Sequence, residues 1–564
     1  MLVAIAIKIE VVAVNKVFRH LLTVVAIAMV AVFSFAIAPG TACAAGTGAI
    51  TVGGTVATRY DAYQLFSATV ADDDDAGQKI ATDVTWANDT VRQTALSVLH
   101  DAGLDSSAST AQEAAEWLNA GGHMSTALTA KLARAICNVG VPSVALNAGT
   151  TAELPSGYWL IVADDDAIAQ GEAGTAPIVA LVGGSAVTVK PKAATPKVFK
   201  HVLEDNTADW QKAVDATVGD DLYWRLSATV PAGLTAYDAY TVQFVDTMSA
   251  GLDPSKVAAS MRVYVAAGAD GGFDAVTCEG GNANSTLAKG WTDITSQCRV
   301  SVEGNAFTVR TGDLIAALGG ADAFTAGARV VAVYNAPLGA NCNRGATKGN
   351  PNEVYLRYPR SPFADQSGDA GFTRTPSDDA CAYTWDLALT KRGSDGDKPL
   401  AGAVLSIADD RGRTLAADGT WDAEGKATVT TGEDGRVTVS GVDSGKLEVR
   451  ELKAPKGYTA FEGTRSVTVK AEGLDVDQVA AAKPKLTITA ESPLRADSAD
   501  GSTGSLEASI INTPTGTPPS ITTGGFMPLT GDMAMYAVVA AAVAGAALIV
   551  VALLIKRGGG SHKE

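Results

Sequence analysis

The sequence predicts a mainly β protein made of tandem β-sandwich domains, with a mixed α/β domain at the N-terminal end. Val, Thr and Ala fill many short alternating runs, and turn signals separate these runs by about 8 to 12 residues. Glycine is frequent, at 58 residues, and aromatic residues make up only 6% of the chain. Because a single hydrophobic core stops growing at roughly 250 residues, a chain of 564 residues should hold three or four domains.

The charge and the residue types exclude several classes of function. The formal net charge is -17, and a surface of that sign repels phosphate backbones, so we expect no nucleic-acid partner. His100, His123 and His201 are isolated, and the sequence contains no Ser/His/Asp pattern, phosphate loop or Cys-x-x-Cys pair. We therefore expect no enzyme acting on other molecules, no cofactor and no metal.

Residues 1–44 have the pattern of a secretory signal. A basic segment precedes an apolar run from Leu21 to Ala38, and the small-residue site Ala42-Cys43-Ala44 follows. We expect cleavage after Ala44. The alternative is a transmembrane anchor, because Leu2 to Val14 adds a second apolar stretch; a start codon set too far upstream would explain that stretch.

The other end of the chain has the pattern of a sorting signal. Met527-Pro528-Leu529-Thr530-Gly531 precedes an apolar span at 533–555 and a basic tail at 556–564. The span can cross a bilayer of about 30 Å, and the tail would stay in the cytoplasm. This order resembles the sortase sorting signal, L-P-x-T-G, with Met527 in place of Leu. An ordinary single-pass anchor is the alternative, and residues 514–526 are a Thr/Pro/Gly linker.

Residues 45–186 are predicted to form the mixed α/β domain. Strands are expected at Ile50–Val56 and Tyr60–Thr69, and later at Tyr158–Ala163 and Ile178–Val182. Between the two pairs, apolar residues recur at helical spacing through residues 91–136. The phrase YDAYQLFSATV resembles the opening of the N-terminal domain of sortase-assembled backbone pilins.

Residues 197–369 and 381–513 are predicted to form two immunoglobulin-like sandwiches. Alternating runs such as YTVQFVDTM and NEVYLRY mark the first, and YTWDLALTK and GRVTVSGVDSGKLEVRELKAPKGY mark the second. Glu451 to Tyr458 supplies the Glu-x-x-Ala-Pro-x-Gly-Tyr signature, which resembles the collagen-binding-protein B-type domain. The 197–369 domain resembles the other pilin type, in which an Asp takes the catalytic role.

These resemblances imply two spontaneous isopeptide bonds. In such domains a Lys on the first strand joins an Asn on the last, with a carboxylic acid as catalyst. The matching residues are Lys391, Glu451 and Asn512 in one domain and Lys200, Asp246 and Asn352 in the other, with Asn350 an open alternative to Asn352.

The chemistry explains why these residue types are needed. A Lys amine attacks an amide only when neutral, and burial lowers its pKa toward that state. A carboxyl in the same dry site is pushed the other way, so it can polarise the Asn carbonyl and move protons to the departing ammonia. The alternative is a surface ion pair beside a turn Asn. The first domain has no Lys in its opening strands, so we expect no such bond there.

Residues 187–196 read as a hinge that carries the link between subunits. In backbone pilins a Lys in a V-x-V-Y-P-K pattern attacks the Thr captured by a pilin sortase. Val187, Val189, Pro191 and Lys192 fit this pattern, while Lys190 stands in the Tyr position. The resemblance implies a bond from Lys192 to Thr530 of the next subunit, with Lys190 as the alternative.

The cysteines left after signal cleavage should lie in an oxidising compartment, so disulfides are open to them. Cys278 could pair with Cys298, and Cys342 with Cys381, whereas Cys137 reads as a small apolar residue on a helix face.

Taken together, the resemblances imply a shaft subunit of a covalently polymerised, sortase-assembled pilus, secreted and anchored to the cell wall. The implied partners are a pilin sortase, a housekeeping sortase, further pilin subunits and peptidoglycan. The alternative is a wall-anchored monomeric adhesin, or a minor pilin at the tip or base, that binds a host-surface ligand. The hinge and the modest three-domain build favour the shaft.

Overall fold

The computed structural model describes residues 36–37, 46–54, 56–73, 78–120, 122–191, 195–232, 234–268 and 290–516. Lys192, Cys278, the sorting motif at 527–531 and the apolar span at 533–555 lie outside these residues, as does the predicted signal apart from residues 36–37. Within the described ranges, no helix combines the length and the apolar character needed to cross a bilayer.

The N-terminal region combines two sheets with three helices. Its strands and helices are β1 Ala36–Ile37, β2 Thr47–Val52, β3 Arg59–Asp73, β4 Gln78–Trp86, α1 Asp89–Asp101, α2 Ala111–Asn119, α3 Thr126–Asn138, β5 Val144–Asn147, β6 Thr151–Pro155, β7 Gly157–Ala163, β8 Ile178–Val182 and β9 Val187–Val189. The larger sheet has the order β1-β4-β3-β7-β8, with β5 on β3, and the smaller one β6-β2-β9.

The helices of this region begin where the sequence provides a cap. The side chains of Asn88, Thr110 and Ser125 each accept a hydrogen bond from a first-turn N–H, which satisfies a donor that the helix itself leaves unpaired. Their apolar faces pack on the larger sheet around residues such as Leu65 and Leu160. The predicted mixed α/β region is confirmed.

The middle region is a sandwich of two sheets. Its elements are β10 Val198–Glu204, β11 Asp209–Gln211, β12 Ala213–Asp215, β13 Tyr223–Thr229, β14 Gln243–Met248, α4 Val257–Ser260, β15 Arg262–Ala266, β16 Trp291–Asp293, β17 Arg299–Glu303, β18 Ala306–Arg310, α5 Leu314–Ala317, β19 Arg329–Asn335, β20 Asn350–Pro359, β21 Phe372–Arg374 and β22 Asp378–Tyr383. The sheet orders are β11-β10-β13-β19-β15-β16 and β12-β22-β20-β14-β18-β17, with β21 on β20. Their inner faces enclose one apolar core around Trp224, Phe244 and Tyr334.

The middle region extends further along the chain than the sequence indicated. The predicted boundary at residue 369 omits β21 and β22, yet β22 pairs with β20 and, in parallel, with β12. Ala380 and Ala382 pack into the middle core, whereas Cys381 and Tyr383 pack into the next core. Successive residues of a strand face opposite sides, so β22 serves as a wall of both cores.

The C-terminal region is a second sandwich, and with it the predicted mainly β class is confirmed. Its strands are β23 Trp385–Gly393, β24 Val404–Ala408, β25 Thr414–Leu415, β26 Trp421–Asp422, β27 Val429–Thr430, β28 Arg436–Val442, β29 Gly445–Lys453, β30 Tyr458–Thr459, β31 Thr464–Glu472, β32 Lys485–Ala490, β33 Leu494–Asp500 and β34 Ser505–Pro514. The sheets are β28-β23-β34-β30, with β33 on β34, and β26-β25-β24-β29-β31-β32, with β27 on β24. The first strand β23 runs parallel to the last strand β34, with Gly393 opposite Asn512.

Short 3-10 turns complete the described helical elements. They lie at Asp165–Ala167, Leu234–Ala236, Pro254–Lys256, Thr295–Gln297, Ala321–Ala323, Asp369–Gly371 and Val479–Ala481.

Candidate functional site

Among the described residues, two lysines are fully buried, one in each sandwich. Lys200 on β10 and Lys391 on β23 both have 0% of their surface exposed. A lysine is almost never buried so completely unless a partner satisfies its charge. Each of these lysines has a buried carboxyl and a buried Asn amide beside it, and these are the residues that the sequence singled out.

In the C-terminal site the three predicted residues contact one another directly. Lys391 Nζ lies 3.1 Å from Glu451 Oε1 and donates to Asn512 Oδ1 at 2.5 Å. Asn512 Nδ2 donates to the same Glu451 Oε1 at 2.9 Å. One carboxyl oxygen therefore reaches both the attacking amine and the nitrogen that would leave.

The Phe461 residue closes this site on one side. Its ring centroid lies 5.5 Å from Lys391 Nζ, and its backbone N–H donates to Glu451 Oε2 at 3.0 Å. The second bond fixes the carboxyl plane, so Oε1 stays directed at the amine and the amide. The sequence analysis did not single out Phe461.

In the middle site a fourth residue joins the predicted three. Lys200 Nζ forms an ion pair with Asp246 Oδ2. The Tyr334 hydroxyl oxygen accepts from Lys200 Nζ at 2.9 Å and from Asn352 Nδ2 at 2.9 Å, and the hydroxyl donates to Asp246 Oδ2 at 3.2 Å. Within the described part of the chain, no hydrogen bond joins Asp246 to Asn352, so Tyr334 connects them.

The strand register explains why Asp246 and Asn352 stop short of each other. Strands β14 and β20 are antiparallel neighbours, and Asp246 lies opposite Val354 while Met248 lies opposite Asn352. The two polar side chains are thus diagonal neighbours on one face, a separation that a short Asp does not span here. Asp246 Oδ1 and Asn352 Oδ1 are both buried without a hydrogen-bond partner.

The alternative Asn350 lies outside this cluster. Its amide accepts from Asn343 N–H at 2.9 Å and donates to the carbonyl oxygens of Asn343 and Ala382 at 3.1 and 3.2 Å. These bonds hold the loop before β20 against β22. The structure therefore brings Asn352, and not Asn350, to Lys200.

At both sites burial lowers the pKa of the lysine and so favours its neutral amine, which is the form that can attack an amide. Burial lowers the pKa of Lys200 to about 8, against the attraction of Asp246, and lowers the pKa of Lys391 to about 8, against the attraction of Glu451. Burial also raises the pKa of Asp246, partly offset by Lys200. Because the pKa values of amine and acid converge, a proton can pass from Lys200 to Asp246 and leave both groups neutral.

A second ion pair fixes the strand that carries Lys200. Lys212 Nζ donates to the Lys200 carbonyl at 2.8 Å and pairs with Asp378, whose Oδ2 accepts from the Lys200 N–H at 2.6 Å. Asp378 belongs to β22, so this pair ties β10 to the wall shared by the two cores. The sequence analysis missed Lys212, Asp378 and Tyr334.

The hinge is only partly described. Val187 and Val189 lie on β9 and pair with Ile50 and Val52 of β2. Lys190 is exposed just beyond this strand, and Lys192 lies outside the described residues. The assignment of the linking lysine therefore stays a prediction.

The expected Cys342–Cys381 disulfide is wrong. Cys342 and Cys381 are both free thiols, because Cys342 packs into the middle core while the alternation of β22 turns Cys381 into the C-terminal core. Cys298 is also free and donates to the Ile294 carbonyl at 3.3 Å. Its expected partner Cys278 lies outside the described ranges.

Known proteins match part of this chain in sequence. Residues 386–483, which include Lys391 and Glu451, match the family model described as SpaA: Prealbumin-like fold domain. Over 129 residues the chain is 30% identical to the trypsin-resistant surface T6 protein of Streptococcus pyogenes serotype M6. The chain is similar to Gram-positive pilins. The 129-residue alignment with the T6 surface protein covers 22% of this chain and 22% of that protein.

Solved structures of pilins give the corresponding structural comparison. The T6 backbone pilin of serotype M6 Streptococcus pyogenes is 17% identical, with a TM-score of 0.45 over 83% of this chain and 98% of that chain. The full-length major pilin SpaD of Corynebacterium diphtheriae is 15% identical, with a TM-score of 0.41 over 83% of this chain and 98% of that chain.

Proposed function

We propose that this chain is a shaft subunit of a covalently polymerised, sortase-assembled pilus, and that Lys–Asn isopeptide bonds form inside both of its sandwiches. The observation that carries the proposal is the pair of fully buried lysines, each paired with a carboxyl. Lys391 contacts the Asn512 amide directly, and the Tyr334 hydroxyl connects Lys200 to Asn352. A buried ion pair alone contributes little net stability, because the desolvation of both charges offsets their attraction. Formation of a covalent bond would explain why the chain buries these lysines and carboxyls despite that desolvation cost.

The reaction balances without an external reagent. Neutral Lys Nζ attacks Asn Cγ, the C–N bond to Nδ2 breaks, and ammonia leaves with one proton that came from the lysine. At the C-terminal site Glu451 Oε1 contacts both nitrogens, at 3.1 Å from Lys391 and 2.9 Å from Asn512, so one carboxyl can accept the proton and return it.

The bonds would tie the first strand of each sandwich to a late one. In the C-terminal region the bond would close a loop between residues 121 positions apart. By the loop-entropy relation used for disulfides, such a closure is worth about 5 kcal/mol. Unlike a disulfide, the amide is unaffected by reductants, which suits an extracellular fibre.

The links to other molecules would use the hinge at 187–196 and the sorting motif at 527–531. A pilin sortase would cleave the sorting motif after Thr530, and Lys192 of the next subunit would attack the captured threonine. A housekeeping sortase would transfer the finished polymer to peptidoglycan. The sorting motif at 527–531 and the hinge pattern at 187–196 support this assembly, together with the similarity to the T6 surface protein.

Electron microscopy and wall extracts test the shaft assignment. Immunogold against the middle region should label surface fibres along their length, and Lys192→Arg should abolish the high-mass ladder while monomer stays anchored. Lys190→Arg is the matched control and should leave the ladder intact. Labelling only at fibre ends would favour a minor pilin, and the absence of a ladder in wild type would favour a monomeric adhesin. An undiminished ladder in Lys192→Arg would remove Lys192 from the link, and its loss in Lys190→Arg would assign the link to Lys190.

A further inference from the structure

The Tyr334 hydroxyl lies where a proton has to travel in the middle site. It is within hydrogen-bond distance of all three proposed reactants, at 2.9 Å from Lys200 Nζ, 3.2 Å from Asp246 Oδ2 and 2.9 Å from Asn352 Nδ2. The carboxyl that should supply the leaving group with a proton has no direct hydrogen bond to it among the described residues. A group that transfers the proton is therefore required between them.

We propose that Tyr334 is a catalytic residue of the middle site, and that its hydroxyl carries a proton from Asp246 to the departing nitrogen of Asn352. This inference rests on the proposed isopeptide function of the same site. It assigns a second general acid–base group to a reaction that otherwise needs only a lysine, a carboxylic acid and an asparagine.

The proton transfers balance at each stage. After Lys200 Nζ attacks Asn352 Cγ, Nδ2 becomes a tetrahedral amine with a free electron pair that can take a proton. Tyr334 gives its hydroxyl proton to Nδ2 and receives the proton of the Asp246 acid, and ammonia then leaves. The new amide nitrogen, which still carries one proton too many, returns it to Asp246. Tyr334 and Asp246 both end as they began.

Burial closes the site to bulk solvent. Lys200, Asp246, Tyr334 and Asn352 each have 0% of their surface exposed. The Phe307 ring meets the Tyr334 ring edge to face with centroids 4.7 Å apart, so the hydroxyl has a fixed position. Burial also raises the pKa of Tyr334 well above its usual value, so the phenol stays protonated before and after the transfer.

The C-terminal site offers an internal control in the same molecule. There Glu451 Oε1 reaches Asn512 Nδ2 directly at 2.9 Å. Among the described residues, no tyrosine hydroxyl bonds to Lys391, Glu451 or Asn512. The relay is therefore a property of the middle site alone, and removing it should leave the other bond unaffected.

The test compares the two bonds in one chain. Wild-type protein and Tyr334→Phe are made by cell-free translation, quenched at intervals and digested, and the Lys200–Asn352 and Lys391–Asn512 cross-linked peptides are quantified by mass spectrometry. We expect Tyr334→Phe to slow the first bond at least about tenfold, since general acid–base groups contribute on the order of 100-fold or more. The second bond should keep its wild-type rate.

A packing control keeps the result specific. Phe307→Leu disturbs the same ring contact but keeps the hydroxyl, so it should lower thermal stability at least as much as Tyr334→Phe and leave the Lys200–Asn352 rate within about threefold of wild type, the change that a small structural shift brings. Ring-fluorinated tyrosine at position 334, with a more acidic hydroxyl, should change that rate, whereas a hydroxyl that only fills space would leave it unaltered.

The outcomes separate this inference from the function on which it rests. If wild-type protein lacks the Lys200–Asn352 peptide, the proposed function of the middle site fails. If wild type has it and Tyr334→Phe forms it at the same rate, the relay is wrong and the isopeptide function stands. Equal slowing of both bonds in Tyr334→Phe would also overturn the relay, because a folding defect would then account for the change.

Discussion

In the C-terminal site Glu451 Oε1 lies 2.9 Å from Asn512 Nδ2, whereas in the middle site the shorter Asp246 has the Tyr334 hydroxyl between it and Asn352. Both sites bury a lysine completely, and both lower its pKa to about 8. The difference shows that the length of the acid and the residue on the facing sheet work as a unit. Where the acid is one methylene shorter, a hydroxyl on β19 completes the path.

The largest effect is expected from removing the acid of the C-terminal site. Glu451→Gln keeps the shape of the side chain but cannot exchange a proton, so Lys391 and Asn512 should stay unlinked. Intact mass should then rise by one ammonia after correction for the substitution. The unfolding free energy of this region should fall by about 5 kcal/mol, the loop-closure value for a cross-link of this span.

The matched control for Glu451→Gln is Glu448→Gln on the same strand. Glu448 is exposed and pairs only with the exposed Lys446, at 3.0 Å, so both mass and stability should stay at wild-type values. If the intact mass of Glu451→Gln, corrected for the substitution, equals that of wild type, the Glu451 carboxyl is not needed for the bond.

A rate effect of intermediate size should come from shortening the acid. Glu451→Asp withdraws Oε1 from Asn512 Nδ2, and no tyrosine bridges the gap among the described residues, so bond formation should slow by roughly tenfold or more. The product should form eventually and be as stable as wild type, because the cross-link itself is the same. Timed quenching and peptide mass spectrometry measure the rate.

The outcome of Glu451→Asp also bears on the middle site. Formation at the wild-type rate would mean that a direct contact from the acid is unnecessary, and the role assigned to Tyr334 would lose its basis. Asp246→Asn is the reference for a site with no acid, and it should leave Lys200 unlinked.

The smallest effect concerns pH at the junction between the two sandwiches. Burial raises the pKa of Glu204 to about 7, and the nearby charges of Asp215 and Asp205 raise it further, against hydrogen bonds from Asn206. Since this folded pKa lies above the unfolded one, its contribution to stability is fully present below about pH 4.5 and is lost as pH rises through 7.

Melting temperatures measured at pH 5.5 and pH 7.5 check this prediction. Raising the pH over that interval should lower stability by about 1 to 2 kcal/mol, and Glu204→Gln should flatten the dependence. Glu204, Asp205 and Asp443 bring their carboxyl oxygens within 4.8 Å of one another, so Asp205→Asn should reduce the slope without abolishing it. A slope unchanged in Glu204→Gln would assign the titration to its neighbours.

The sequence predicted the participants of each site better than it predicted their connections. Lys391, Glu451 and Asn512 followed from a motif that carries the role of each residue, and the structure brings them together. Tyr334 could not be found in this way, because a tyrosine in an apolar alternating strand reads as core. The fold places β13 between β10 and β19, and the hydrogen bond from Lys200 Nζ to the Tyr334 hydroxyl spans that strand.

The misplaced boundary and the wrong Cys342–Cys381 disulfide have a common physical cause. An alternating run predicts a strand but does not reveal which sheet it joins, and β22 joins the middle sheet after a turn at Asp369–Gly371. Once β22 is placed there, the orientation of Cys381 follows from the period of the strand, away from the core that holds Cys342.

The double use of β22 limits how this molecule can be divided for experiments. A fragment that starts at Cys381, where the sequence places the domain border, would keep only the second half of β22 and would lack β12 and β20, the strands that hold it in place. A fragment that stops at Asp369 would lack β21 and β22, so β20 would lose these two partner strands and the middle core would lose Ala380 and Ala382. Recombinant pieces of the two sandwiches are therefore best made as one unit, with partial proteolysis expected to nick elsewhere before it separates them.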